Sequence, residues 1–338
     1  MKKTNLKTKA MCIIAVASLF ACKPNNVPQE PKYEYDVYVA GGEGEFGKRV
    51  AMLWKNGKAT KLTEGKNDAL ALSVFVDKGD VYVAGREDKK AILWKNGKTT
   101  ALTDGGELSG TTNSIFVSNG KTYVAGKKGR KAILWKDMNP TELTDGNKNA
   151  EAYSVYVTGN DVYIAGREGK VAMLWHNDKA IILTNDVSKN SEALSVYIAG
   201  SDVYVAGWEY NGATLVAMLW KNGEATKLTD GKNDTRASSV YVSGSDVYVA
   251  GYKEKGNNKT VAMLWKNGEA TELTDGNNNA EAEYIFVSGS DVYVAGYEEK
   301  ENKMVAMLWK NGEATALTDG KEHAIAYSIY VVKREVGK

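Results

Sequence analysis

The chain has 338 residues, of which 43% are hydrophobic, and its 44 basic and 42 acidic side chains nearly balance. This balance leaves no excess of basic residues for nucleic acid, so we predict no nucleic-acid partner. The only two cysteines, Cys12 and Cys22, precede the repeats described below, and we therefore predict no disulfide in the folded part.

Residues 1–21 are predicted to form a signal peptide. Four lysines precede or flank the start of a short apolar run at residues 11–20, and a run of about ten residues is too short to span a bilayer but typical of a secretory signal. The sequence Leu-Phe-Ala-Cys at residues 19–22 resembles the lipobox of bacterial lipoproteins. This resemblance implies a lipoprotein whose acylated Cys22 anchors it in a lipid bilayer. The alternative is an ordinary signal peptide that is cleaved nearby.

Residues 22–34 are predicted to be the lipidated cysteine and a flexible tether, because residues 23–32 are polar and contain three prolines. The lipobox resemblance implies a lipid-anchored protein of the bacterial cell envelope. For its location we favour the outer membrane, and the periplasmic and surface sides both remain open.

Residues 35–334 are predicted to form a seven-bladed β-propeller with four antiparallel strands in each blade. A Leu-Trp pair recurs at intervals of 40 to 45 residues, with tryptophans at Trp54, Trp94, Trp135, Trp175, Trp220, Trp265 and Trp309. A repeat of about 40–50 residues with four short strand patterns indicates this fold. In one unit the strands are predicted at residues 239–242, 246–251, 261–266 and 269–274, with an Asn-Gly hairpin turn at residues 267–268.

The ends of the repeat region predict how the ring closes. The chain enters at residues 36–40, which read as a second strand without a first, and the repeats end at residues 328–331, which read as a first strand without a second. We therefore predict that the C-terminal strand completes the N-terminal blade and removes a free sheet edge. The seven tryptophans are interpreted as packing between blades.

The repeats also resemble a known group of sequences. The segment Ala-Met-Leu-Trp-Lys-Asn-Gly at residues 51–57 and its six echoes are similar to the bacterial extracellular repeats called HAF repeats. This resemblance implies an exported propeller of unassigned activity.

Candidate ligand-binding residues lie where the repeats differ. The loops after the second and fourth strands are predicted to emerge on one face, and the first residue after each Val-Tyr-Val-Ala-Gly segment varies around the ring. Three neighbouring blades have a cation there and the next three an aromatic residue, and with a neighbouring tyrosine the candidates are Arg86, Lys127, Arg167, Trp208, Tyr210, Tyr252 and Tyr297. Aromatic platforms beside polar groups suit glycan or peptide ligands. The alternative is a solvated rim.

We predict no catalytic residues, metal or cofactor. The turn at residues 230–234 lacks the spacing of a calcium loop, and His176 and His323 are too few for a zinc site. The leading hypothesis is therefore a non-enzymatic ligand-binding or scaffolding lipoprotein that recognises a glycan or a protein on the loop face.

Two alternatives to this hypothesis remain open. One is a glycan hydrolase or lyase that uses carboxylates near the propeller axis, with candidates at Glu87, Glu168, Glu209 and Glu298. The other is a structural subunit of an envelope complex, which an exposed apolar patch on the outer strands would favour.

Overall fold

The computed structural model describes residues 32–336 except 107, 178, 185 and 257–258. The predicted signal peptide, Cys22 and nearly all of the predicted tether lie outside the described residues. The described residues form 28 strands in seven antiparallel sheets of four strands each. Within them, no helix has the length and hydropathy that a membrane span requires.

Each sheet is one blade, and we number the blades in the chain order of their second strands. The first, innermost strands are β28 (Ala324–Val336), β4 (Ala69–Asp77), β8 (Gly110–Ser118), β12 (Ala150–Thr158), β16 (Ser191–Ala199), β20 (Thr235–Ser243) and β24 (Ala280–Ser288). The second strands are β1 (Lys32–Glu43), β5 (Asp80–Glu87), β9 (Lys121–Lys128), β13 (Asp161–Glu168), β17 (Asp202–Tyr210), β21 (Asp246–Lys255) and β25 (Asp291–Lys300). The third strands are β2 (Val50–Lys55), β6 (Lys90–Lys95), β10 (Lys131–Lys136), β14 (Val171–His176), β18 (Leu215–Lys221), β22 (Lys259–Lys266) and β26 (Lys303–Lys310). The outermost strands are β3 (Lys58–Lys61), β7 (Lys98–Ala101), β11 (Asn139–Glu142), β15 (Lys179–Ile182), β19 (Glu224–Lys227), β23 (Glu269–Glu272) and β27 (Glu313–Ala316).

The blades form a closed ring. The innermost strand of every blade contacts the innermost strands of both neighbours, and β28 contacts β4 on one side and β24 on the other. Strand β28 also pairs antiparallel with β1 along its whole length, from Lys32 opposite Val336 to Glu43 opposite Ala324. The predicted seven-bladed β-propeller and its closure by the C-terminal strand are both confirmed.

The repeated tryptophans pack between neighbouring sheets. All seven are at most 3% exposed. Trp94 of blade 2, for example, lies in one cluster with Tyr38 and Ala51 of blade 1. Each indole ring therefore packs between two blades, and the tryptophan repeats in the sequence because the interface between blades repeats.

The repeated Asp-Val-Tyr and Trp-Lys-Asn segments form one hydrogen-bonded unit in every blade except blade 3, which has Lys121 and Asp137 in place of the aspartate and the asparagine, and in blade 4 His176 replaces the lysine. In blade 2, Asn96 accepts from the Val81 amide and donates to Asp80, both at 2.8 Å. Lys95 pairs with Asp80 at 2.8 Å and lies 4.9 Å from the centre of the Tyr82 ring. These contacts connect the start of the second strand to the end of the third, and they explain why the polar residues recur together.

The innermost strands begin four residues earlier than predicted. The sequence predicts the first strand of blade 6 from residue 239, whereas β20 begins at Thr235 and carries a β-bulge between Ala237 and Ser239. The bulge brings the backbone close to the second strand, and a Cβ on Gly251 would lie 1.9 Å from the Arg236 carbonyl oxygen. The glycine of Val-Ala-Gly is therefore required by the bulge. The extension carries a weak signal, because its second and fourth residues vary from repeat to repeat.

Candidate functional site

The innermost strands enclose an axial channel that contains two cavities. Ser114, Ser154, Ser195 and Tyr284 line both of them, so this layer lies between the two. The serine of one blade accepts a hydrogen bond from the next blade, as Ser154 does from the Val196 amide at 3.2 Å. Blade 7 has Tyr284 in place of the serine, which puts a large ring at the centre of the channel.

The upper cavity, on the side of the loops after the second and fourth strands, has a volume of about 170 Å³. A β-bulge redirects a side chain, and here the bulged residue of every innermost strand lines the cavity. These seven residues are Leu72, Asn113, Tyr153, Leu194, Ser238, Glu283 and Tyr327. Because they differ in size and polarity, the cavity has a distinct chemical surface on each side.

Arg236 is the one arginine that lines the upper cavity among the described residues. Its Nε atom is buried and has no hydrogen-bond partner. Burial by itself would lower the pKa of Arg236, but the carboxylates of Glu283 and Glu281 outweigh it and raise the pKa. The guanidinium is therefore a permanent cation with donor capacity left over.

The same environment also raises the pKa of Glu281, which for a carboxyl group favours the neutral form. Burial, with a further contribution from the Glu283 carboxylate, raises the pKa of Glu281 to about 7, while Tyr297 and Arg236 oppose the shift. The folded protein therefore keeps a proton on Glu281 at pH values where the unfolded chain has lost it.

The raised pKa of Glu281 predicts a stability that falls with pH. The stabilising effect of its proton is complete below the unfolded pKa of about 4.3 and is lost as pH rises to about 7. Deprotonation of Glu281 should lower the free energy of unfolding by about 1–2 kcal/mol across this window. The effect is no larger because solvent in the open cavity screens part of the charge. Melting curves from pH 4.5 to 8 should show a shallower decline for Glu281→Gln. Glu313→Gln, which changes an exposed carboxyl group, is the control. If the melting temperature of Glu281→Gln falls with pH as steeply as that of the wild type and of this control, the raised pKa of Glu281 is contradicted.

The lower cavity, on the side of the turns after the first strands, is closed in by a ring of aromatic side chains that was not predicted. Each innermost strand contributes one residue, and neighbouring ring centres lie 4.6–5.1 Å apart around the whole circle. The seven members are Phe75, Phe116, Tyr156, Tyr197, Tyr241, Phe286 and Tyr330. This aromatic ring is a packing layer that repeats in every blade, and we therefore place the candidate site in the upper cavity.

The structure places the predicted ligand-binding residues in strands and not in loops. Their role in binding stays a prediction. Six of them lie at the end of the second strand, which continues past Val-Tyr-Val-Ala-Gly to pair with the extended innermost strand. The cross-strand pairs are Arg86 with Leu70, Lys127 with Thr111, Arg167 with Glu151, Trp208 with Glu192, Tyr252 with Arg236, and Tyr297 with Glu281. These six residues thus lie opposite residues of the innermost strands, and none of the seven predicted residues lines either axial cavity.

The three cations on blades 2 to 4, which we call the cationic arc, are engaged in ion pairs. Arg86 pairs with Asp68 at 2.8 Å, Lys127 with Glu151 at 2.7 Å, and Arg167 with Glu192 at 3.0 Å. The last two pairs join neighbouring blades. Asp68 also binds Arg49 at 2.6 Å, and these contacts hold the pKa of Asp68 well below its usual range. The cationic arc therefore stabilises the ring.

Trp208, Tyr252 and Tyr297 on blades 5 to 7, which we call the aromatic arc, are partly exposed and lie opposite Glu192, Arg236 and Glu281 of the innermost strands. Burial raises the pKa of Tyr252 to about 12 and that of Tyr297 further, so both remain neutral phenols. Tyr210 ends its strand, and its hydroxyl donates to the Gly212 carbonyl at 3.1 Å. It borders a separate cleft with Glu209.

The carboxylates proposed for a catalytic alternative do not line the axial cavities. Glu87, Glu168, Glu209 and Glu298 are absent from both linings, and Glu87 accepts instead from Asn67 at 3.1 Å. Glu283 is the carboxylate that lines the upper cavity, and it was missed because it lies in the unpredicted part of its strand.

The described residues contain no group of three or more His, Cys, Asp or Glu side chains placed to hold a metal ion. His176 stacks on Tyr163 with ring centres 4.2 Å apart. His323 accepts a hydrogen bond from the Met304 amide at 3.2 Å. Both histidines thus have structural contacts.

No protein-family model and no curated protein matches the chain. Among solved structures it is similar to a puromycin-hydrolyzing peptidase of Mycobacterium tuberculosis, with a TM-score of 0.56 and 9% identity over 82% of this chain and 53% of the peptidase. The chain thus spans about half the length of that protein. It is also similar to the β-propeller domain of the Trilobed protease from Pyrococcus furiosus, with a TM-score of 0.50 and 12% identity over 85% of this chain and 93% of that domain. At these identities the likeness shows the propeller fold alone.

Proposed function

We propose that this protein is a non-enzymatic binding protein that holds a glycan or a protein ligand over the mouth of the axial channel. The observation that carries the proposal is the asymmetry between the two arcs. The three cations of the cationic arc are held in ion pairs, whereas Tyr252 of the aromatic arc lies opposite Arg236, whose buried Nε has no partner. Aromatic rings beside unsatisfied polar groups provide contact area and orientation for a ligand.

The proposal predicts that one aromatic residue of this arc dominates binding. The ligand is first identified on a glycan array or by pull-down from envelope material. Trp208→Ala should then weaken its binding at least about tenfold, because large rigid rings contribute most of the binding energy at such sites. Tyr252→Ala should have a smaller effect of the same sign. The measurement is the dissociation constant of each variant.

Phe46→Ala is the matched control for Trp208→Ala. Phe46 is an aromatic residue of blade 1 that is 65% exposed on the same face, outside the aromatic arc. If Phe46→Ala weakens the ligand as much as Trp208→Ala, or if Trp208→Ala has no effect, the aromatic arc is not the binding surface.

The same proposal places the protein in the bacterial cell envelope through acylated Cys22. The support is the lipobox resemblance at residues 19–22. A single acyl chain binds membranes only marginally, so stable anchoring requires more than one chain. Cys22→Ser should move the protein from the membrane fraction to the soluble fraction, and retention of the variant in the membrane fraction would contradict the anchor.

A structural role in an envelope complex is a second candidate, supported by the outer edge of blade 4. Ile181 and Ile182 on β15 are 40% and 55% exposed, where the other outermost strands carry mostly polar residues, and nearby Val187 is 61% exposed. An exposed apolar group at a sheet edge favours contact with another protein. If Ile182→Lys no longer binds a protein partner and Trp208→Ala still binds it, the structural role is favoured.

A further inference from the structure

We infer that the upper cavity binds the head group of a small α-amino acid, with the ligand carboxylate on Arg236, the ligand ammonium on Glu283, and an aliphatic side chain against Leu72 and Leu194. This inference goes beyond the proposed function, because it names a small ligand for the cavity below the channel mouth. Three features of the cavity carry it: an unpartnered cationic donor, a carboxylate on the neighbouring blade, and an apolar wall.

The first feature is the free donor capacity of Arg236. Its Nε is buried without a hydrogen-bond partner, and leaving a charged donor buried and unsatisfied is unfavourable. A planar guanidinium is matched by a carboxylate, which accepts two parallel hydrogen bonds. A ligand carboxylate is therefore the group that best completes this residue.

The second feature is Glu283, which lines the same cavity from the next blade. Among the described residues no hydrogen bond or ion pair within 4.0 Å joins Glu283 to Arg236, although the two interact electrostatically. A ligand that is only anionic would be repelled by Glu283 and by nearby Glu281. A ligand that carries an ammonium group beside its carboxylate satisfies both charges at once.

The third feature is the size and apolar wall of the cavity. Leu72 and Leu194 line the upper cavity with Tyr153 and Tyr327. Its volume of about 170 Å³ is close to the roughly 150 Å³ of an engineered cavity that holds benzene. The cavity therefore admits a side chain no larger than that of leucine, and a longer ligand would have to leave through the mouth beside the aromatic arc.

The test is isothermal titration calorimetry of the purified protein with three probes of matched shape. L-leucine has both charged groups, 4-methylpentanoate lacks the ammonium, and 3-methylbutylamine lacks the carboxylate. We expect leucine to bind with a Kd of about 1 mM or tighter and each analogue at least about tenfold more weakly. Arg236→Gln and Glu283→Gln should each weaken leucine at least about tenfold, and Arg236→Lys should also weaken it because lysine lacks the planar fork.

Arg130→Gln is the matched control, since Arg130 lies on the same face but donates to Asn149 and the Asn147 carbonyl outside the cavity. A melting curve of each variant identifies any that fails to fold, and Glu283→Gln decides the question if Arg236→Gln is unfolded. The inference is overturned if leucine does not bind to the wild type, if an analogue binds as tightly as leucine, or if folded Arg236 and Glu283 variants bind leucine as the wild type does.

These outcomes are separable from failure of the proposed function. If leucine does not bind but a glycan or protein ligand is lost in Trp208→Ala, the inference is overturned and the proposed function stands. If leucine binds through Arg236 and no larger ligand depends on the aromatic arc, the glycan or protein proposal is overturned and the amino-acid site stands.

Discussion

A chain that ends after His323, and so lacks β28, is expected to lose the cooperative folding of the whole ring. Strand β28 supplies the innermost strand of blade 1, and Ala326, Ile329 and Val331 on it are at most 5% exposed. Its loss removes these contacts, exposes the edge of β1, and breaks the circle of channel-lining strands. We expect a loss of more than about 5 kcal/mol in the free energy of unfolding.

The measurement is thermal unfolding followed by circular dichroism, with a chain that ends after Arg334 as the matched control. This shorter truncation removes only residues 335 and 336 of β28, which are exposed, and keeps the ion pair between Arg334 and the buried carboxylate of Asp36. It should melt within a few degrees of the full chain, because surface changes cost little. A chain ending after His323 that melts with the same midpoint and cooperativity would show that the ring does not depend on this closure.

Gly251→Ala is expected to be the most damaging single methyl addition in blade 6. A Cβ at this position would lie 1.9 Å from the Arg236 carbonyl oxygen and 3.2 Å from the Ala237 Cα. These are backbone atoms of a bulged strand within a packed ring, so they cannot move aside as a flexible side chain would. We expect a destabilisation of about 3–5 kcal/mol, together with displacement of Arg236 from the upper cavity.

Gly256→Ala, five residues further along, is the control for Gly251→Ala. Nothing lies within 4 Å of a Cβ built on Gly256, so the same chemical change adds a methyl group in open space. Denaturant unfolding should give a midpoint close to that of the wild type for Gly256→Ala and a markedly lower one for Gly251→Ala. Equal midpoints for the two variants would mean that the innermost strand yields at the bulge.

The ends of the second strands differ from the sequence prediction. The sequence predicts that the second strand of blade 6 ends at Gly251 and that the next residue begins a loop. In the structure Tyr252 is still in β21 and lies opposite Arg236. The residues that extend the innermost strand carry a weaker signal, because only the first and third of them, Thr235 and Ala237 in blade 6, are small in every repeat, whereas the second and fourth vary.

The aromatic ring of the lower cavity shows a different reason for a missed feature. Each member, such as Tyr197 or Phe286, alternates with valine or isoleucine in a strand that was predicted correctly. Strand periodicity places such a residue on one face of its sheet, but it does not say that seven sheets turn that face to one axis. The contact between rings exists only because the blades are arranged in a circle.

The amino-acid sequence by itself determined the number of blades, the four strands in each, the closure by the C-terminal strand and the packing role of the tryptophans. The strands and the tryptophan repeat seven times, because the same local physics of strand pairing, turns and burial acts in every unit, and the closure follows from the incomplete units at the two ends of the repeat region. Only the tertiary structure decided which side chains meet at the axis. Arg236, Glu281 and Glu283 come together because the innermost strands of blades 6 and 7 are neighbours in the ring, and a bulge turns Glu283 toward the axis. A contact between residues more than forty positions apart has no local signal.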